Sequence, residues 1–131
     1  MLDTLYMQRI LKFIAEGSYE GALTPDLWLT FVESSNTETA SFHRFVYHMN
    51  ELVNAGLIKE RDVEKSGWGF NPDASLDEIS LVLTPIGQQF LVLLSQPPKG
   101  LPTERLEIAL RHHGDAGKDA LRFAVGTLLK H

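Results

Sequence analysis

The chain contains no cysteine. That absence removes disulfides, thiolate nucleophiles and every Cys-based zinc site at once. Long apolar runs are missing as well. The longest, Phe90 to Leu94, is five residues, against the roughly 18–20 that a membrane-spanning helix requires, so no membrane partner is expected. Asp3 and Arg9 interrupt the first apolar residues. They leave no uninterrupted stretch for a secretory signal, and the cytoplasm is the expected compartment. Positive charge is in short supply: 12 Lys and Arg stand against 17 Asp and Glu, a net charge of −5. The simplest argument for nucleic-acid binding is therefore absent, and any DNA-binding face must be local. No polybasic arm and no block of like charge marks a disordered tail.

Catalytic and metal-binding motifs are equally scarce. There is no H-E-x-x-H and no G-x-S-x-G elbow. His112 and His113 are adjacent, and helical neighbours diverge by about 100°, so the two cannot share one ion. His43 and His48, five apart, fail for the same reason. Gly114-Asp115-Ala116-Gly117-Lys118 has some look of a phosphate loop, but its spacing is too short and Asp119 stands where Ser or Thr is needed. It reads as a turn between two helices, with Asp115 as a cap. The expectation is a protein without metal, cofactor or enzymatic activity.

What is present is enough for one core: 131 residues, of which 44% are hydrophobic. Leu2, Tyr6, Ile10, Phe13 and Ile14 have helical spacing and predict an amphipathic helix from Leu2 to about Glu16, closed by Gly17. Tyr19 to Leu23 is short enough for a brief strand at most. Thr24-Pro25-Asp26 reads as a helix start, with a capping hydroxyl, a first-turn proline and an acid. Leu27, Trp28, Phe31 and Val32 give that helix an apolar face. Ser35 with Glu38 suggests a capping box opening a third helix over 38–55. Phe42, Phe45, Val46, Met49, Leu52 and Val53 form its stripe, and Gly56 suits a left-handed end. Leu57–Val63 and Ile79–Leu83 should pair as an antiparallel hairpin. Thr84-Pro85 opens a fourth helix carrying Phe90, Leu91, Leu93 and Leu94. Residues 95–102 form the one clear linker, rich in Pro and Gly. Beyond it Thr103 caps a short helix to about His112, and a last helix follows. The fold class is α+β, mostly α, with residues 1–94 as one domain and 103–131 as a helical hairpin for docking or dimerisation.

Two short stretches carry a resemblance. Leu52-Val53-Asn54-Ala55-Gly56-Leu57-Ile58 and, after the hairpin, Leu83-Thr84-Pro85-Ile86-Gly87 resemble the L-x-x-x-G-L-I … L-T-x-x-G punctuation of winged-helix regulators. Among these are the multiple-antibiotic-resistance-regulator and phenolic-acid-decarboxylase-regulator groups. The chain looks closest to a domain-of-unknown-function family of short winged-helix proteins of phages and prophages. The resemblance covers about residues 2–94. It implies a winged helix-turn-helix of three helices and a β-hairpin wing, with further helices after them. It also implies a DNA-binding transcriptional regulator whose third helix enters the major groove of double-stranded DNA. Winged helices also serve as protein-binding adaptors, and both readings stand at this point. The loop from Glu64 to Glu78 reaches the upper end of the roughly 12–15 residues beyond which loops are often functional.

On the third helix the stripe leaves Arg44 and Tyr47 facing outward, flanked by His43, His48 and Asn54. Arg44 can fork to guanine or bridge phosphates, and Thr39 and Ser41 near the helix start can bind phosphate. Glu51 on the same face argues for an ordinary solvated surface instead. In the wing, Lys59, Arg61 and Val63 alternate with Glu60, Asp62 and Glu64, and strand alternation places the two signs on opposite faces. With Lys65, that basic side can meet a phosphate backbone, or it can pair with Asp77 and Glu78. Trp68 and Phe70, between glycines at the wing tip, are either a contact surface or a lid. The lid is favoured, because a lone hairpin is short of buried area. In the last helix Leu121, Ala124, Val125, Leu128 and Leu129 form a stripe that must be buried. It packs either on this chain's own helices or on a second copy in a homodimer.

Overall fold

Asp3 opens the first helix. The computed structural model describes residues 2–32, 40–63, 67–95 and 120–129, and within them helix α1 spans Thr4–Glu16. The expected start at Leu2 moves to Thr4, because the Asp3 carboxylate accepts the Tyr6 amide at 3.1 Å and so caps the helix. Gly17 ends it, and a brief strand β1, Ala22–Leu23, leads into α2, Thr24–Phe31. Thr24 does not act as the cap. It is the first helical residue, and its buried hydroxyl donates to the Asp77 carbonyl and accepts the Ile79 amide. The side chain ties α2 to the sheet instead of closing its own turn.

Helix α3, Ala40–Asn54, buries Phe42, Phe45, Met49 and Leu52 as the stripe predicts, while Val46 and Val53 are half-buried. Gly56 follows with φ +74°, the left-handed conformation that favours a residue without Cβ. Strand β2, Ile58–Glu60, pairs antiparallel with β3, Ser80–Leu83, which also pairs antiparallel with β1. The sheet order is β1-β3-β2. Ile58 stands opposite Leu83 and Ala22 opposite Leu81, so these four buried residues share one face of the sheet, while Leu23 and Val82 lie on the other. The expected extension of β2 to Val63 does not form, since the chain turns at Arg61 and Asp62.

Helix α4, Pro85–Ser95, begins as expected: the Gly87 amide donates to the Thr84 hydroxyl at 3.0 Å. That hydroxyl in turn donates to the Gly56 carbonyl, and the Thr84 amide donates to Leu57. The two stretches of punctuation therefore touch. Gly87 lies so close to the Leu57 carbonyl that a Cβ there would fall 2.0 Å from its oxygen.

A last helix, α5, Ala120–Leu129, packs against α3 and α4. Leu121, Ala124 and Val125 are buried, and Leu129 is half-buried against the same core. Of the two readings of the stripe, packing on the chain's own helices therefore holds for these residues, which α3 and α4 already cover within a single chain. Nothing is described of the Leu128 side chain. The Ser35–Glu38 capping box, Thr39, Lys65, the linker from 96 on, the helix expected from Thr103 to His112, His113 and the Gly114–Lys118 turn all lie outside the described residues. Among the described residues the fold is α+β and mostly α, and no helix is long and apolar enough to cross a membrane.

Candidate nucleic-acid interface

The outward arc of α3 follows from its period. Residues at about 100° intervals leave Ala40, His43, Arg44, Tyr47, Asn50 and Asn54 exposed, with Glu51 half-exposed beside them. Arg44 and Glu51 contribute one charge of each sign, so the arc is polar and close to neutral.

Arg44 does not stand alone. One guanidinium nitrogen lies 2.5 Å from an Asp3 carboxylate oxygen, and the guanidinium carbon sits 4.1 Å from the centroid of the Tyr6 ring. The Tyr6 amide, together with Arg44, holds the Asp3 carboxyl below its ordinary pKa, although partial burial opposes the shift. The ion pair is about half exposed on both sides, 49% and 43%. Pairs of that kind contribute about 0–1 kcal/mol, little enough for a phosphate to replace the carboxylate.

His48 belongs elsewhere. It was expected on the outer face with His43, but it is 1% exposed, wedged against Tyr6 with ring centroids 4.7 Å apart. Its Nε2 accepts the Asp3 amide at 2.9 Å and its Nδ1 lies 2.7 Å from the Arg44 carbonyl. Its place one helical turn after Arg44 puts it under that residue, on the α1 side, not among the base-reading positions. Tyr47 stays on the surface edge, where burial and Glu51 raise its hydroxyl pKa.

The structure adds a residue that the sequence did not bring to notice. Arg9 of α1, Ser41 and Arg44 of α3, and the rings of Tyr6 and Phe31 line one cavity of 310 Å³. Thr30 and Ala40 line it too, and the Thr30 hydroxyl donates to the Asp26 carbonyl at 2.8 Å. Two fork-shaped cations beside a hydroxyl suit an oxyanion such as a phosphate. The missed signal was Asp3: an acid three residues before Tyr6 can cap the first turn through the Tyr6 amide, and the cap fixes where α1 meets α3.

The hairpin departs from expectation more sharply at its cations, while its loop follows the favoured lid reading. Lys59 is half-buried in β2 opposite Val82. Arg61 lies past the strand end, where it pairs with its neighbour Asp62 at 3.0 Å and donates to the Glu20 carbonyl. It faces a cleft of 560 Å³ shared with Glu16, Glu20 and Asp26, so the expected separation of signs is lost once the chain turns. Trp68 is a lid and not a wing-tip contact. It is 4% exposed, its indole N–H donates to the Asn50 side chain at 2.8 Å, and its ring stacks on Phe70 with centroids 5.1 Å apart. Phe70 also stacks on Trp28 and tilts against Phe42. The loop therefore folds back over α2 and α3, leaving exposed carboxylates at Asp73, Asp77 and Glu78. Among the described residues no group of His, Asp or Glu is placed to hold a metal ion. Comparison with protein-family models, with curated proteins and with solved structures found no match.

Proposed function

We propose that the chain is a winged-helix protein that binds double-stranded DNA through α3 and acts as a transcriptional regulator. The order α1-β1-α2-α3-β2-β3, the antiparallel sheet with β3 central and the docking of Thr84 and Gly87 on Gly56 and Leu57 support the fold reading. One observation carries the DNA reading: Arg9 and Arg44 line a single cavity with Ser41 near the described start of α3. In this reading they take a backbone phosphate, while His43, Tyr47 and Asn54 of the outward arc face base edges.

The local patch offers few cations, so the salt dependence should be shallow. Each neutralised phosphate contributes about −0.9 to the slope of log K against log salt, and one phosphate held by both arginines predicts a slope near −1. The test is selection of sheared source-genome DNA on the purified protein, followed by gel-shift titration. Arg9→Ala and Arg44→Ala should each weaken binding, whereas Arg61→Ala, whose side chain faces another cleft, should not. Unchanged affinity in both of the first two variants rejects this assignment of the face.

A second reading, a protein-binding adaptor, is favoured by one specific feature. Glu51 offsets Arg44 on the arc, and the folded-back loop adds Asp73, Asp77 and Glu78. A basic protein surface fits that charge better than a phosphate backbone does. Failure to shift bulk duplex even at low salt decides for the adaptor.

A further inference from the structure

We infer that His48 is a proton-operated latch: a proton on its ring breaks the bond from the Asp3 amide, draws the Asp3 carboxylate to the ring and releases Arg44 into the cavity it shares with Arg9. The consequence for DNA rests on the phosphate reading given above; the latch itself does not.

The geometry fixes the ring's protonation state. The Asp3 main-chain N–H can only donate, so the Nε2 it points to, 2.9 Å away, must be bare. A neutral imidazole with a bare Nε2 carries its proton on Nδ1, and that N–H donates to the Arg44 carbonyl at 2.7 Å. Both ring nitrogens are thus used. A further proton has one place to go, Nε2, where it meets another N–H head-on.

The charged groups around the ring convert that clash into a change of partners. At the start of α1 it faces the Asp3 backbone and carboxylate and the Tyr6 ring; from α3 it faces Arg44 and the Tyr47 ring. An imidazolium here repels the Arg44 guanidinium and attracts the Asp3 carboxylate. Asp3 is also the carboxylate that holds Arg44 at 2.5 Å. Protonation therefore pulls the acid toward His48 and pushes the guanidinium outward, and both movements expose a phosphate-binding group. Burial of the ring is the main reason that this proton binds less readily than to a histidine in water. The latch stays closed near neutrality and opens only as pH falls below the ordinary histidine value of 6.5.

His48→Gln supplies an acceptor for the Asp3 amide and a donor for the Arg44 carbonyl with no group that titrates. Gel-shift titrations with a mixed-sequence DNA duplex at low salt compare it with the wild type between about pH 7.5 and about 5.5. His43 and the other histidines are common to both proteins, so their contribution cancels in the comparison. Wild-type affinity should rise about tenfold more than that of the variant, within the usual range for coupled sites. Equal pH slopes overturn the coupling to DNA. Independently, nuclear magnetic resonance of the wild-type chain follows the His48 ring and the exchange rate of the Asp3 amide. The amide should lose protection with the same midpoint at which His48 gains its proton, and an amide indifferent to that titration overturns the latch. If no duplex binds at any pH, the DNA reading fails while the amide measurement still decides the latch.

Discussion

The Asp3 amide donates to His48 Nε2 at 2.9 Å across 45 residues of sequence, joining the start of α1 to the middle of α3. Because the bond exists only for a neutral ring, stability must depend on pH in a definite direction. Burial lowers the pKa of His48 in the folded chain below the ordinary value of 6.5. Between those two values the unfolded chain binds more protons, so folding weakens as pH drops through that interval. The contribution is complete above about 6.5 and declines below it. Urea denaturation should give a lower midpoint at about pH 5.5 than at about pH 7.5, and His48→Gln should remove most of that difference. A midpoint that falls equally in the variant assigns the effect to other groups.

Asp3 has two separable tasks. One carboxylate oxygen caps α1 through Tyr6, and the other holds Arg44. Asparagine keeps the capping acceptor but loses the charge. Asp3→Ala should cost about 1 kcal/mol through the cap. Asp3→Asn should cost under about 0.5 kcal/mol, since a half-exposed ion pair contributes little. For DNA the ranking changes. Both variants remove the carboxylate that competes for Arg44, so both should bind duplex more tightly than the wild type in gel-shift titration. Weaker binding by Asp3→Asn means that Arg44 must be held by Asp3 in order to work.

Trp68 holds the long loop against α3. Trp68→Ala removes its stacking on Phe70, its edge contact with Phe45 and the bond to Asn50. It should cost about 3–5 kcal/mol in chemical denaturation, the usual range for a buried Trp truncated to Ala. Trp68→Phe keeps most of the packing, and water can take over at the exposed Asn50, so its cost should be nearer 1–2 kcal/mol. In a Trp28→Phe background the remaining indole should emit at short wavelength and resist acrylamide quenching. Ready quenching places Trp68 at the surface and restores the contact surface as the reading of the loop tip.

Legibility in the sequence followed the range of the interaction. The α3 stripe, the left-handed Gly56 and the Thr84 cap are local patterns, readable within one or two turns of chain. The Thr24 hydroxyl looked like a cap by the same local rule, yet it is taken by residues 77 and 79, more than 50 positions away. His48 was misplaced because its angular position lies at the edge of the stripe, where only the arrival of Asp3 and Tyr6 decides burial. The candidate site was half readable. Ser41 and Arg44 share one helix, whereas Arg9 joins them only through the packing of α1 against α3. Arg61 looked like part of a basic face because strand alternation was extended beyond Glu60, where the strand ends.

Three glycines should respond to alanine in three different ways. At Gly87 the new Cβ would lie 2.0 Å from the Leu57 carbonyl oxygen, which is backbone and part of the Thr84 docking. Relief requires α4 to move off Leu57, so Gly87→Ala should cost more than about 3 kcal/mol, at or beyond the upper end for overpacking. At Gly56 nothing lies within 4 Å of an added Cβ, but φ is +74°. The cost there is the left-handed conformation alone, about 1–2 kcal/mol. At Gly126, inside α5, a Cβ again meets nothing within 4 Å, and no positive φ accompanies it. Alanine should stabilise that helix by about 0.5–1 kcal/mol, because it loses less backbone freedom on folding. Thermal melts of the three variants should therefore fall in the order Gly126→Ala, wild type, Gly56→Ala, Gly87→Ala. A Gly87→Ala protein as stable as the wild type would mean that α4 does not rest on Leu57, and the contact between the two stretches of punctuation would lose its physical basis.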